Sequence, residues 1–357
     1  MRSIQPRMKG LVAVGVLIAM AAGPARAGES PAAPPETAPA EAAAAEAGED
    51  GGGRGKSYAI RYRLDVRPMA GSDPAKLEVM AAEAEVTGEA GEHVEYAIQI
   101  PAYTAMKGRG KEMHFGNLYA IFRRNLGEPT LKVGQFVIPF GNLVNYETHT
   151  RPVQTLYRYS LGVRIDPGAE LEGFLNKDTE FQLAVTTGNG SFRKDNNANK
   201  VVTARVSRTF ELGDNELRLG VSALRGKLPV FSLMSDPVMG SGEVLEFSMK
   251  NRVGLDAEYY RGPYLVRAEL VGGDDNGRGA YGHWVQLSVP LSYKTSIDVG
   301  TERWKQFSGK LSGNWIGIEH KLTDNRILRL ALQSADASEG AHPMSMTMIT
   351  GQLLVEF

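Results

Sequence analysis

The chain has 357 residues, 42% of them hydrophobic, with 40 basic side chains against 41 acidic ones and no cysteine. Disulfides, thiolate metal sites and c-type haem attachment are thereby excluded, and so balanced a charge offers no basic face for nucleic acid. Past the N-terminus no apolar run approaches the roughly 20 residues of a membrane helix, which leaves a soluble β-rich protein or a membrane β-barrel.

Arg2, Arg7 and Lys9 precede an apolar stretch from Leu11 to Gly23, too short to cross a bilayer comfortably, and Ala25-Arg26-Ala27 fits the small-residue cleavage rule. Residues 1–27 are therefore expected to be a signal peptide. They hold four basic residues and no acid, so the exported remainder carries a formal charge of −5. Residues 28–56 are mostly Ala, Pro, Glu and Gly with no large apolar side chain. Such a segment cannot bury enough surface to offset the entropy of ordering, and it is expected to be a disordered periplasmic linker.

From Ser57 onward the pattern has period two. Tyr58, Ile60, Tyr62, Leu64 and Val66 share one face, while Arg61, Arg63, Asp65 and Arg67 share the other. This is the mark of a strand with one apolar and one wet surface. Residues 77–87 follow less clearly and could instead form a short helix starting at Asp73-Pro74. Clean alternation returns around 94–100, 181–185, 202–206, 217–223, 253–259, 264–270, 285–291 and 328–332, with weaker candidates at 113–124, 130–139, 159–174, 295–304 and 312–322. The last segment places Ile349, Leu353, Val355 and Phe357 on one face and resembles the terminal-strand signal of bacterial outer-membrane proteins. The fold class read from this is all-β: a transmembrane antiparallel β-barrel over residues 57–357 with about 16 strands, in a range of about 14–18.

The joins alternate in length, as expected of a barrel with short periplasmic turns and long external loops. Residues 68–76, 102–112, 140–158, 187–199, 226–243, 272–280, 305–311 and 334–344 read as the longer set, while 88–92, 125–129, 175–178, 210–214, 261–262 and the joins near Lys294 and Asp324 are short. Tyr58, Phe181, Phe210, Tyr259, Tyr264, Tyr293 and Phe357 fall at strand ends on the short-turn side, where an interfacial aromatic girdle belongs.

LKVGQFVIPFG at 131–141, YSLGVRIDPGAELEGF at 159–174, FQLAVTTGNG at 181–190 and DNNANKVVTARVSRTF at 195–210 resemble the phosphate-selective porin O and P family. That resemblance implies a 16-stranded, usually trimeric diffusion channel whose third external loop folds inward, and the longest loop here, 140–158, is third in order. The loop carries Tyr146, Glu147, His149, Arg151 and Arg158 but no lysine, so the resemblance is taken to extend to architecture and not to phosphate specificity.

Arg61, Arg63, Arg67, Arg205, Arg218, Arg252, Arg267 and Arg329 fall in phase with the wet face, opposed by a similar number of acids including Asp65, Glu180, Asp256, Glu258 and Glu269. Rings of one sign would select by charge, whereas a mixed lining predicts a weakly selective pore, with anions the favoured class from its arginines. Many of these charges are equally expected to pair and brace the wall. The expected activity is passive diffusion of small hydrophilic solutes or ions across the bacterial outer membrane, with 140–158 as constriction and Tyr146, Glu147, His149 and Arg151 as its candidate residues. Neither catalytic residues nor a cofactor or metal is expected; the partners are outer-membrane lipid, small solutes and, by resemblance, two further copies in a homotrimer. The alternative is a structural or docking barrel for a periplasmic or electron-transfer protein, motivated by the 28–56 arm.

Overall fold

In a bilayer every backbone N–H and C=O needs an internal partner, and a sheet meets that demand only when it closes on itself. The computed structural model describes residues 58–71, 75–103, 116–125, 127–142, 153, 160–190, 199–231, 244–306, 309–339 and 342–357. The expected signal peptide and linker lie outside them. The described chain forms β1 (Tyr58–Gly71), β2 (Lys76–Glu89), β3 (Val94–Tyr103), β4 (Leu118–Phe122), β5 (Thr130–Val137), β6 (Ile165–Asn176), β7 (Thr179–Thr186) and β8 (Val201–Leu212). It continues through β9 (Asn215–Phe231), β10 (Val244–Arg261), β11 (Tyr264–Asp275), β12 (Arg278–Pro290), β13 (Thr295–Gln306), β14 (Gly309–Thr323), β15 (Arg326–Glu339) and β16 (His342–Glu356). Each strand pairs antiparallel with the next, and β16 returns to β1, closing a sixteen-stranded barrel.

The seam is closed by reciprocal backbone hydrogen bonds between Tyr62 and Phe357, each 3.0 Å. Along β8, Val202, Ala204 and Val206 face outward while Thr203, Arg205 and Ser207 are buried inside. Apolar outside and polar inside is the inverse of a soluble core and suits a wall between lipid and water. All seven expected girdle aromatics lie on outward positions at the short-turn end, with Tyr293 88% exposed.

One open choice in the sequence is resolved and two expectations are corrected. Residues 76–89 form a strand, the leading reading of 77–87, and not the alternative helix; it is registered on β1 from Tyr58↔Gly88 to Met69↔Lys76. The segment expected from 159 begins as a strand only at Ile165, because Gly162, with φ of 104°, turns the preceding chain into the barrel. The segments 272–280, 305–311 and 334–344 are not long loops: β11 and β12 are joined by Asn276-Gly277 alone, and the later pairs by 307–308 and 340–341. Asn276 (φ 50°) and Gly277 (φ 80°) both take the left-handed conformation of a type I′ hairpin turn. These tips are rich in glycine and charge, and no apolar face distinguishes them from loops in sequence.

The wall is uneven. The described part of β4 has five residues, against 12 to 18 in β8 through β16.

Candidate solute channel

Inward alternation sets the charged side chains of neighbouring strands against one another. Arg63 reaches Glu83 on β2 (2.9 Å) and Glu356 on β16 (3.1 Å), so one guanidinium ties three strands across the seam. Arg67 pairs with Asp65 at 2.7 Å, both sealed from solvent, while Arg61 lies 3.9 Å from Glu85. Lys132 bridges Glu170 (3.3 Å) and Glu172 (3.1 Å). Arg205 on β8 meets Asp256 on β10 at 2.7 Å, passing over β9 at Gly220, where any side chain would strike the Asp256 carboxylate. Arg218 pairs with Glu180, Arg267 with Glu258 (2.7 Å), and Arg329 with Glu319 (2.7 Å) and Gln352 (3.1 Å). The arginines read from sequence as pore lining are inward, and every one of these carries a carboxylate partner. The field they project into the lumen is correspondingly reduced.

Beyond β5 the chain leaves the wall and enters the lumen. The Ile138 N–H donates to the Arg164 carbonyl at 3.0 Å, binding together the two ends of the excursion. The Gly141 N–H donates to Ser222 Oγ (2.9 Å) and the Asn142 N–H to Glu269 Oε2 (2.7 Å), so β9 and β11 hold the outgoing strand of chain from the inside. Gly141 has φ of 58°, and a Cβ there would run into the Glu269 carboxylate; glycine is required on both counts. Arg205 Nη2 donates to Asn142 Oδ1 at 3.3 Å. On the return path Arg252 Nε donates to the Ser160 carbonyl (2.9 Å), while its Nη2 pairs with Asp275 at 2.6 Å.

Apolar packing reinforces these bonds. Ile138, Phe140, Leu161 and Val163 are buried against inward residues of the wall, including Val201, Leu224, Leu228, Val271 and Trp284. The Phe140 ring lies on the bare backbone of Gly254. Further round, Trp304 covers Gly282 and Trp315 covers Gly300, so β12 through β14 carry a tryptophan-lined inner surface. Part of the lumen is therefore filled by an apolar core rather than by water.

The loop residues Tyr146, Glu147, His149 and Arg151 lie outside the described residues. The structure adds inward residues that sequence reading did not single out: Gly141, Ser222, Lys250 and Asp275, with the three tryptophans. Lys250 is fully buried beneath Gly162, and its Nζ meets no hydrogen-bond partner among the described residues. It stands two residues from Arg252, and that phase alone would have placed it on the inner face.

Residues 58–285 match the family model described as phosphate-selective porin O and P. The in-vitro folded outer membrane protein OmpT of Vibrio cholerae is similar in fold, with a TM-score of 0.62 and 12% identity over 85% of this chain and 98% of that one. The anion-selective porin from Comamonas acidovorans has a TM-score of 0.60 at 10% identity, covering 85% of this chain and all 100% of the other. The outer membrane channel DcaP of Acinetobacter baumannii gives 0.57 at 10% identity, over 85% and 98%. No curated protein matches the sequence.

Proposed function

The chain belongs to the phosphate-selective porin O and P family, a passive diffusion channel of the bacterial outer membrane, and from that premise we propose that the segment between β5 and β6 sets its constriction. The observation that carries this reading is the inward hydrogen bonding of 138–142 and 160–164 to Ser222, Glu269 and Arg252. A loop tied at both ends to the inner wall narrows the passage without closing it. The activity is passage alone, with no chemistry performed on the solute. Single-channel conductance in planar bilayers tests it. Deleting 143–158 should raise conductance several-fold; unchanged conductance in a folded barrel would refute the constriction.

Selectivity in this reading is weak and favours anions. Most lumen arginines are neutralised by neighbouring carboxylates, which leaves little net field to sort solutes by charge. One structural neighbour is an anion-selective porin. In a salt gradient the reversal potential should take a small value of the anion-selective sign; a cation-selective sign would overturn this.

A homotrimer is the assembly proposed. OmpT of Vibrio cholerae is known in a trimer form. Light scattering of the detergent-solubilised protein should return three copies, and a monomeric mass would reject the assembly.

A further inference from the structure

The outward face of β12, β13 and β14 changes character along its length. From the short-turn end upward, β13 presents Thr295, Ile297 and Val299, then Thr301, and finally Arg303 and Lys305. On β14 the outward run Ile318 and Ile316 gives way to Asn314, Ser312 and Lys310; on β12, Leu287 and Val285 give way to His283 and Tyr281. Strand register sets these upper residues side by side: His283 opposite Arg303, Tyr281 opposite Lys305, and Lys305 opposite Lys310. Arg303 lies ten residues beyond Tyr293, a rise of about 25 Å for a strand tilted as in such barrels, which matches the height of the apolar band. The cluster therefore stands at the outer-leaflet interface, facing lipid and not the lumen.

Like charges directly opposite on adjacent strands repel and destabilise a sheet unless something compensates. Among the described residues, Arg303, Lys305 and Lys310 form no ion pair with a carboxylate. Lys305 Nζ sits 5.3 Å from the centre of the Tyr281 ring. Of the outward acids on neighbouring strands, Asp336 on β15 lies opposite Ser312 and accepts a hydrogen bond from Ser345 Oγ at 2.5 Å, while Asp274 on β11 accepts from Asn251 and the Gly277 N–H. Inside the barrel, by contrast, the arginines have acidic partners. Three cations gathered without carboxylates at the edge of a lipid-facing band are complementary to phosphate.

We propose that this outward patch of Arg303, Lys305 and Lys310, with His283 and Tyr281 at its margin, binds the phosphate groups of a phosphorylated lipid in the outer leaflet. The acyl chains lie on Val299, Ile316 and Leu332 below it, and the hydroxyl and amide row of Thr301 and Asn314 lies between. Lipid phosphate supplies from outside the counter-charge that the barrel omits.

The test uses the full barrel in detergent, titrated with diphosphoryl lipid A, with bound lipid counted by native mass spectrometry. Each basic side chain near a charged lipid surface contributes on the order of 1 kcal/mol, so half-saturation in the triple variant Arg303→Gln/Lys305→Gln/Lys310→Gln should rise roughly 100-fold. Arg225→Gln, an outward change on β9 away from the patch, should leave it unmoved. Single-channel conductance should be the same in all three proteins, which separates a fault in lipid binding from a fault in the pore. Equal lipid A retention by the triple variant would overturn the proposal. So would inorganic phosphate at equal phosphate concentration displacing the lipid completely, since that would make the site one for free anions.

Discussion

Gly141 carries two constraints at one Cα: a left-handed φ of 58° and the Glu269 carboxylate where a side chain would begin. Gly141→Ala should therefore cost about 1–3 kcal/mol locally, release the Asn142–Glu269 bond and raise single-channel conductance while the barrel stays folded. Arg252 is the counterpart on the return path. Removing it leaves Asp275 buried without its 2.6 Å partner, a loss of about 3–5 kcal/mol for a broken buried pair. Arg252→Ala should lower the unfolding temperature clearly more than Arg252→Ala combined with Asp275→Asn, as read by the heat-induced gel shift. At this scale the sequence was legible where phase decides: Arg205, Arg252 and Arg329 lie on the inner face as their spacing implies. Their partners were not legible, because Arg205 and Asp256 are brought together by strand register across a third strand, and single-strand alternation carries no register.

Element by element, legibility followed the environment. Strands whose two faces meet lipid and water, such as β8 and β15, show alternation that names them at once. The tips of β11 and β12 rise past the apolar band, both faces become polar, and the sequence from Gly272 to Ala280 then reads as loop. The turn itself has strong local chemistry: Asn276-Gly277 fits a type I′ hairpin, and Gly277 N–H donates to Asp274 Oδ1 at 2.8 Å. Gly277→Val places a β-branched residue at φ of 80° and should cost about 1–2 kcal/mol. Urea unfolding in lipid vesicles would show the loss, with conductance unchanged. Within the 113–124 read from sequence the described strand is Leu118–Phe122, with 113–115 outside the described residues, and a run of mixed character gives no point at which pairing stops.

For the whole molecule, the apolar exterior and closed ladder account for insertion, and the outward aromatics fix its depth. Phe357 is 65% exposed on the outside, at the seam, while its backbone pairs with Tyr62. Phe357→Asp keeps both backbone bonds yet sets a charge at the interfacial girdle, and it should reduce the fraction of chain recovered as heat-modifiable barrel. Normal recovery would argue that the girdle at this position is dispensable.

That seam also dictates a schedule. Arg63 and Glu356 are 293 residues apart in sequence yet hydrogen-bonded in the wall. Until β16 has been synthesised, β1 has no partner on one side, and every shorter nascent chain that pairs its strands is an open sheet with two bare edges. Such a sheet can grow but cannot finish, and its edges would recruit neighbouring chains during transit. Closure is thus a terminal event, and the chain has to be kept from pairing prematurely throughout its passage to the membrane.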